Sequence, residues 1–250
     1  MIGILCATAE ELAALQARLS LGLEPTTHGP THVWTGAHHG EGLVLAQAGI
    51  GKVNAAAAAT LLLSAFDAKT LIFCGVAGGL DPALPVGALL LADALAIHDY
   101  GVMAGGRLTS TASGVIPLGA PALERPQPVP AQVVAVLTRL AARIGPRAEH
   151  PVRLGGVITA DYFLNCAATR ADLFARFAAQ AIDMESGAVA QVAAAWATPL
   201  YVIRTLSDLA GEESHLTYPQ MAQMAADNAA LAVVELLALL AEMDAGRFAP

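Results

Sequence analysis

Charge is what this sequence has least of. Asp, Glu, Lys and Arg make up 14% of its 250 residues, against about 25% in an ordinary soluble domain. The 13 basic residues are scattered among 21 acidic ones, for a net charge of −8. No clustered basic face results, which excludes the usual nucleic-acid-binding surface. Cysteine is scarce too. Cys6, Cys74 and Cys166 lie far apart without a CxxC pair, which excludes a disulfide framework and a zinc ribbon. The histidines form no HExxH or other zinc spacing, and no metal is expected. His98-Asp99 and His38-His39 read as loop residues.

Although 56% of the residues are hydrophobic, an uninterrupted run of about 20 apolar residues, the length of a membrane span, is missing. Ala55 to Phe66 is short and carries Thr60 and Ser64; Ala229 to Met243 is broken by Glu235 and Glu242. Both read as buried helices, so no membrane partner is expected. The chain opens directly on Ile2-Gly3-Ile4-Leu5 without a basic leader, so a secretory signal is not expected and the cytoplasm is. No linker-like stretch divides the chain, and residues 1–250 are expected to form a single domain.

What is present is an alternation of short apolar runs and helical patterns. Ile2–Ala7, Thr70–Cys74, Gly87–Ile97, Val152–Thr159, Ala181–Met184 and Leu200–Leu206 read as strands. Val33–Ala37 and Leu43–Ala48 read as a strand pair. Helices are expected over Thr8–Leu19, from Lys52 to about Phe66, and over Ala131–Arg143, Ala167–Ala179 and Glu185–Trp196. A last helix is expected to open at the capping-box pattern Thr217-Tyr218-Pro219-Gln220 and to run to about Met243. Residues 98–130, rich in Gly, Pro, Ser and Thr, read as the longest irregular stretch. Such alternation implies an α/β fold with a parallel or mixed sheet covered by helices.

In a sheet of that kind ligands bind beyond the carboxyl ends of the strands, and several unusual residues fall there. Asp183-Met184-Glu185 and Arg204-Thr205-Leu206-Ser207-Asp208 place carboxylates at or just past strand ends. They read equally well as a structural Asp–Arg pair with a helix-capping Glu and as an acid–base site, since an apolar setting raises a carboxyl pKa. Glu10-Glu11 follows the first strand, and Thr8-Ala9-Glu10-Glu11 is itself a capping box. A cap and a ligand-facing role are compatible there. Gly75-Val76-Ala77-Gly78-Gly79 lets backbone approach a ligand but is not a dinucleotide fingerprint. Gly49-Ile50-Gly51-Lys52 is not a P-loop, because Ala46 and Val53 stand where Gly and Ser/Thr are required. The aromatic residues of Asp161-Tyr162-Phe163 are either a lid over the core or a stacking surface for a planar base.

Taken in order along the chain, these pieces resemble the 5′-methylthioadenosine/S-adenosylhomocysteine nucleosidases of the nucleoside phosphorylase/nucleosidase superfamily. Besides those quoted, Ala48-Gly49-Ile50-Gly51-Lys52-Val53-Asn54, Val86-Gly87, Asp161-Tyr162-Phe163-Leu164 and Asp183-Met184-Glu185-Ser186-Gly187-Ala188 carry the likeness. The resemblance implies a three-layer αβα fold with a central mixed, partly barrel-like sheet, a homodimer, no cofactor, and a small nucleoside as partner. It implies that Asp208 protonates the purine, that Glu11 activates the attacking water with Arg204 nearby, and that Glu185 holds the ribose with Met184 against the sugar. It also implies that Phe163 stacks on the base and Leu164 reads its edge, with Val76, Ala77, Gly78 and Ser207 lining the substrate. Superfamily phosphorylases hold phosphate with an early arginine, whereas here no Arg precedes Arg18, which favours water. Three features depart from the pattern. Val76 stands where Ser is common, Ala160 stands where Gly is usual, and residues 98–118 match poorly. A futalosine-type hydrolase, a phosphate-dependent phosphorylase and a non-catalytic purine sensor are the other readings.

Overall fold

Strands buried on both faces read as unbroken apolar runs, and the central strands of this protein are of that type. A computed structural model describes residues 1–246. The first half contains β1 (Ile2–Cys6), α1 (Ala9–Gln16), β2 (Thr26–His28), β3 (Thr31–His38), β4 (Glu41–Gln47), α2 (Lys52–Ala65), β5 (Thr70–Gly79) and β6 (Leu89–Ile97). There follow β7 (Gly101–Ala104), β8 (Arg107–Ser110), β9 (Gln127–Pro128), α3 (Ala131–Ile144), β10 (Val152–Thr159), α4 (Ala167–Phe177), β11 (Ala181–Asp183), α5 (Ser186–Ala195), β12 (Leu200–Asp208) and α6 (Ser214–Asp244). Every residue of β1 and of β12 is buried.

The sheet is mixed. β5 pairs in parallel with β1 and β12. β12 runs antiparallel to β6, which continues through parallel β10 to β11. β11 then pairs antiparallel with the end of β5, Ile182 opposite Gly78. This last pairing closes β5, β12, β6, β10 and β11 into a barrel, while β1, β4, β3 and β2 extend from it as an open wing. The expected partly barrel-like sheet between helices is what forms. One face packs against α1, α3 and α6, the other against α2 and α5. α4 covers a smaller cluster around Phe177 and Ile158.

Two local expectations are corrected. The stretch 98–130 is not wholly irregular, because β7 and β8 form a hairpin and β9 adds to β6. Its turn residues, Gly105 and Gly106, both have positive φ, the geometry of a two-residue hairpin loop. The last helix starts at Ser214, so Pro219 lies inside it and Thr217 is no cap. The Thr217 hydroxyl instead donates back to the Glu213 carbonyl. The exposed first-turn N–H of His215 donates to the side chain of Asn165, a capping group 50 residues away that local sequence cannot reveal.

Among the described residues α6 has the length and hydropathy of a membrane span, but half of its most apolar window is buried within the protein. Glu235 and Glu242, which interrupt that run, both receive Arg143 of α3. Ala225, Ala229, Val233 and Leu236 of α6 face the core with at most 1% exposure. Leu236→Ala should therefore cost about 2–5 kcal/mol, the range for emptying a fully buried leucine site, read as a lower midpoint in urea unfolding with an unchanged slope.

Candidate active site

The ends of β1, β5, β11 and β12 converge on one side of the barrel. There Glu11, Val76, Ala77, Gly78, Phe163, Leu164, Met184, Glu185, Ser207 and Asp208 line a single cavity of about 320 Å³. All the residues expected at the site are brought to this cavity except Arg204. The fully buried Arg204 lies behind the wall, its guanidinium carbon 4.0 Å from the centroid of the Phe73 ring.

Glu11 reaches the cavity by way of its cap. Thr8 accepts the Glu11 N–H at 3.3 Å, and Glu11 Oε2 accepts the N–H groups of Thr8 and Ala7 at 3.1 and 2.7 Å. Its other oxygen accepts Val76 N–H at 2.9 Å. The capping box and the cavity-facing carboxylate are one arrangement, because the box turns the side chain back toward the end of β1, where β5 passes.

Glu185 and Asp183 divide the tasks that sequence left open. Asp183, not Glu185, caps α5: Oδ1 lies 3.3 Å from Glu185 N and 3.2 Å from Ser186 N. Asp183 also accepts the Thr159 hydroxyl at 2.5 Å, the Ser186 hydroxyl, and Arg204 Nε–H at 2.9 Å. Glu185 is thereby released from capping and turns outward. One of its oxygens accepts Gly51 N–H at 3.0 Å, and the other lies 3.6 Å from Arg204 Nη2. The loop that failed as a P-loop thus presents its amide to a side-chain carboxylate. Burial, then the charge of Asp183, raises the Glu185 carboxyl to about 7 against the pull of Arg204.

Asp208 ends β12 where the pairing with β5 slips, Leu206 facing Ala77 and Asp208 facing Gly78. The slip aims its carboxyl into the cavity. Oδ1 accepts Ala210 N–H at 2.8 Å, and Oδ2 lies 3.0 Å from Ser207 Oγ. Burial raises its pKa above the ordinary carboxylate value, opposed by those hydrogen bonds. A raised pKa keeps a proton available for donation.

The opposite wall is a loop pinned at three places. Asp161 N–H donates to Asp99, and Lys52 Nζ bridges Asp99 at 2.5 Å and Asp161 at 3.5 Å. Tyr162 Oη lies 2.8 Å from His98 Nε2, with burial pushing that imidazole down to about 4. Asn165 holds His215. Between these anchors Phe163 stays half exposed, its ring edge-on to Tyr218 at 5.9 Å. Tyr162, read from sequence with Phe163 as lid or stacking surface, also lines the cavity, as do Tyr218, Ile50 and Ile182, which were given no place in it. The one available pointer to Tyr218 was an aromatic shortly after the Ser-Asp strand end, in a segment read only as a helix start.

This fold, with acidic groups gathered where β1, β5, β11 and β12 end, is that of the phosphorylase superfamily, whose family model matches residues 1–238. The chain is 34% identical to 5′-methylthioadenosine/S-adenosylhomocysteine nucleosidase of Mycobacterium bovis, over 96% of this chain and 97% of the relative. It is similar to the solved structure of the nucleosidase of that name from Neisseria meningitidis in complex with methylthio-immucillin-A. That likeness has 28% identity and a TM-score of 0.82, covering 94% of this chain and 97% of the other. It is equally similar in shape to futalosine hydrolase of Helicobacter pylori, with 25% identity and a TM-score of 0.82 over 95% and 97% of the two chains. The chain belongs to the 5′-methylthioadenosine/S-adenosylhomocysteine nucleosidase family.

Two outcomes follow from this geometry. A methyl group on Gly75 would stand 2.2 Å from Arg204 Nη1 and 2.3 Å from Glu11 Oε1, both ends of tied side chains, so Gly75→Ala should displace them. The expected result is adenine-nucleoside turnover reduced by ~10²-fold or more, the scale of one misplaced preorganised group, with the circular-dichroism spectrum retained. For Glu185, the folded value of about 7 exceeds the ordinary 4.5. Between those pH values the unfolded chain releases the proton that the folded form keeps, so stability falls as pH rises, by about 1.4 kcal/mol per unit of separation. Glu185→Gln removes that loss. It should melt above wild type at pH 8 and level with it near pH 4, as thermal scans would read.

Proposed function

We propose that the protein hydrolyses the N-glycosidic bond of a 5′-modified adenine nucleoside, 5′-methylthioadenosine or S-adenosylhomocysteine, releasing adenine and the 5′-substituted ribose. The observation that carries this reading is the charge of the cavity wall. Glu11, Asp183, Glu185 and Asp208 all border the cavity, and among the described residues no lysine or arginine lines it. A phosphate dianion would meet carboxylates there, whereas water and a developing ribosyl cation are favoured by them.

The roles follow from the chemistry of the bond. Its cleavage leaves positive charge on the ribose and negative charge on the departing base. Asp208, whose carboxyl burial pushes above the ordinary carboxylate range, delivers a proton to N7 of the purine, so that the base departs neutral. Glu11 accepts a proton from the attacking water, and Arg204 Nη1, close above Gly75 on the same side as Glu11 Oε1, orients that water. Glu185, fixed by Gly51 N–H, holds the ribose hydroxyls, with Met184 against the sugar. Phe163 stacks on the purine, the Leu164 backbone reads its edge, and Val76, Ala77, Gly78 and Ser207 complete the wall. The reaction needs no cofactor, since proton transfer and electrostatics supply its steps.

A homodimer in the cytoplasm is part of this reading. Ile50, Val53, Ile116 and Leu118 are exposed apolar side chains, of which Ile50 lines the cavity itself, and a second protomer would cover them. The three cysteines are free thiols, Cys6 and Cys74 deeply buried, as suits a reducing compartment.

Base release from methylthioadenosine, adenosylhomocysteine, adenosine, inosine and futalosine, each with and without phosphate, tests the reading. Adenine release from the first two, independent of phosphate, is expected. Ribose 1-phosphate as product would make the protein a phosphorylase, and preference for futalosine would move it to the other hydrolase class. Binding of every nucleoside without release would make it a sensor. Asp208→Asn should lower kcat by about 10²–10⁴-fold, the range of a positioned general acid, while the melting temperature holds. Unchanged turnover would remove Asp208 from the acid's place.

A further inference from the structure

Asp183 is buried to 5% exposure, yet it lies beside two other buried carboxylates, Glu11 and Glu185, and takes no part in the chemistry above. Like charges crowded out of water are costly, so a third carboxylate demands a reason. Its contacts supply one. Arg204 Nε–H and Nη2–H both reach Asp183 Oδ2, each at 2.9 Å. The same two nitrogens lie 3.2 and 3.1 Å from Ser186 Oγ, whose proton goes to Asp183. That edge of the guanidinium is therefore fully occupied. Nη1, on the other edge, is buried with no hydrogen-bond partner in the protein, and it points to the space over Gly75 that Glu11 Oε1 also faces.

We propose that Asp183 is a positioning residue for the reaction: by binding one edge of Arg204 and capping α5, it aims the other edge at the nucleophile beside Glu11 and sets Glu185 facing the sugar. The inference rests on the nucleosidase reading for what is positioned, but not for the positioning itself. A planar guanidinium held along its Nε–Nη2 edge cannot rotate, and its remaining donors are fixed in direction. The cap does the same for Glu185, because the residue preceding α5 takes its backbone direction from the two N–H groups bound by Asp183. Thr159 completes the support, donating its hydroxyl to Asp183 and accepting Gly187 N–H at 2.8 Å.

The test is Asp183→Asn in the full chain, with kinetics on methylthioadenosine and a carbon-13 carboxyl titration of Glu185. The groups facing Glu185 are Asp183, Arg204, Glu11 and Tyr218, and only the first is changed. The variant should lose ~10²-fold in kcat with KM changed less than about fivefold, the pattern of an interaction made in the transition state. Its Glu185 titration should move to lower pH as the Asp183 charge is removed, while the fall in kcat at a nearly constant KM is the change that a merely structural role does not predict. A folded variant with kcat within about threefold of wild type, or with an unmoved Glu185 midpoint, overturns the proposal. Should Asp183→Asn not fold, Ser186→Ala takes its place. It strips the second acceptor from the same edge of Arg204 and should cost ~10-fold in kcat, and a wild-type rate would equally overturn the proposal. Wild type that releases no adenine refutes the nucleosidase reading alone, and a crystal structure of Asp183→Asn then decides the role of Asp183: an Arg204 guanidinium and a Glu185 carboxyl both left in place overturn it.

Discussion

The buried pair of Asp183 and Arg204 is the interaction on which the site depends. Both side chains are at most 1% exposed, and removing one partner of such a pair strands the other as an uncompensated charge. The pair joins β11 to β12, neighbours of β5 on its two sides at the point where the barrel closes. Two further carboxylates, Glu11 and Glu185, are within reach of the same guanidinium. One cation faces three anions, and the imbalance adds to burial in raising the Glu185 carboxyl to about 7. Electrostatic strain of this kind is a stability cost concentrated where the proposed chemistry lies.

The rest of the molecule compensates through apolar packing and neutral donors. A chain with so little charge covers its barrel with alanine and leucine, in α2 and α5 on one side and α6 on the other. Backbone amides, not cations, satisfy most of the site's carboxylate oxygens: Ala7, Thr8 and Val76 for Glu11, Gly51 for Glu185, and Ala210 for Asp208. Amides stabilise a carboxylate without adding a mobile positive charge that would hold an anionic nucleophile. Charged pairs are placed around the site instead, as in the Lys52–Asp99–Asp161 cluster that ties the start of α2 to two loops.

Much of this was legible in the residues, and the failures were of one kind. The capping box of Thr8 and Glu11 was visible because its partners lie three residues apart. The strand ends at Asp183 and Asp208 were visible because apolar runs stop there. The start of α6 was misread because its cap, Asn165, comes from another loop. Tyr218 went unnoticed for the same reason, since its place in the wall depends on how α6 crosses the site. Arg204 was expected near Glu11, and its Nη1 does stand close to Glu11 Oε1 over Gly75; an Asp–Arg pair was one of the two readings the residues left open, and only the burial of the guanidinium behind the wall depended on distant strands.

The sequence by itself determined the alternation of elements, the family and the roster of acidic groups, since each is written in local pattern: periodicity, caps and the order of motifs. Tertiary structure decided where each carboxylate points and what it binds. Asp183 and Glu185 are chemically alike and two residues apart, and local pattern does not separate them, although the family resemblance gave the ribose to Glu185 alone. Barrel closure separates them, turning one inward to Arg204 and the cap of α5 and the other outward to Gly51 and the cavity. Burial and hydrogen bonding, not residue type, set the work of a carboxyl group, and both exist only once distant strands have met.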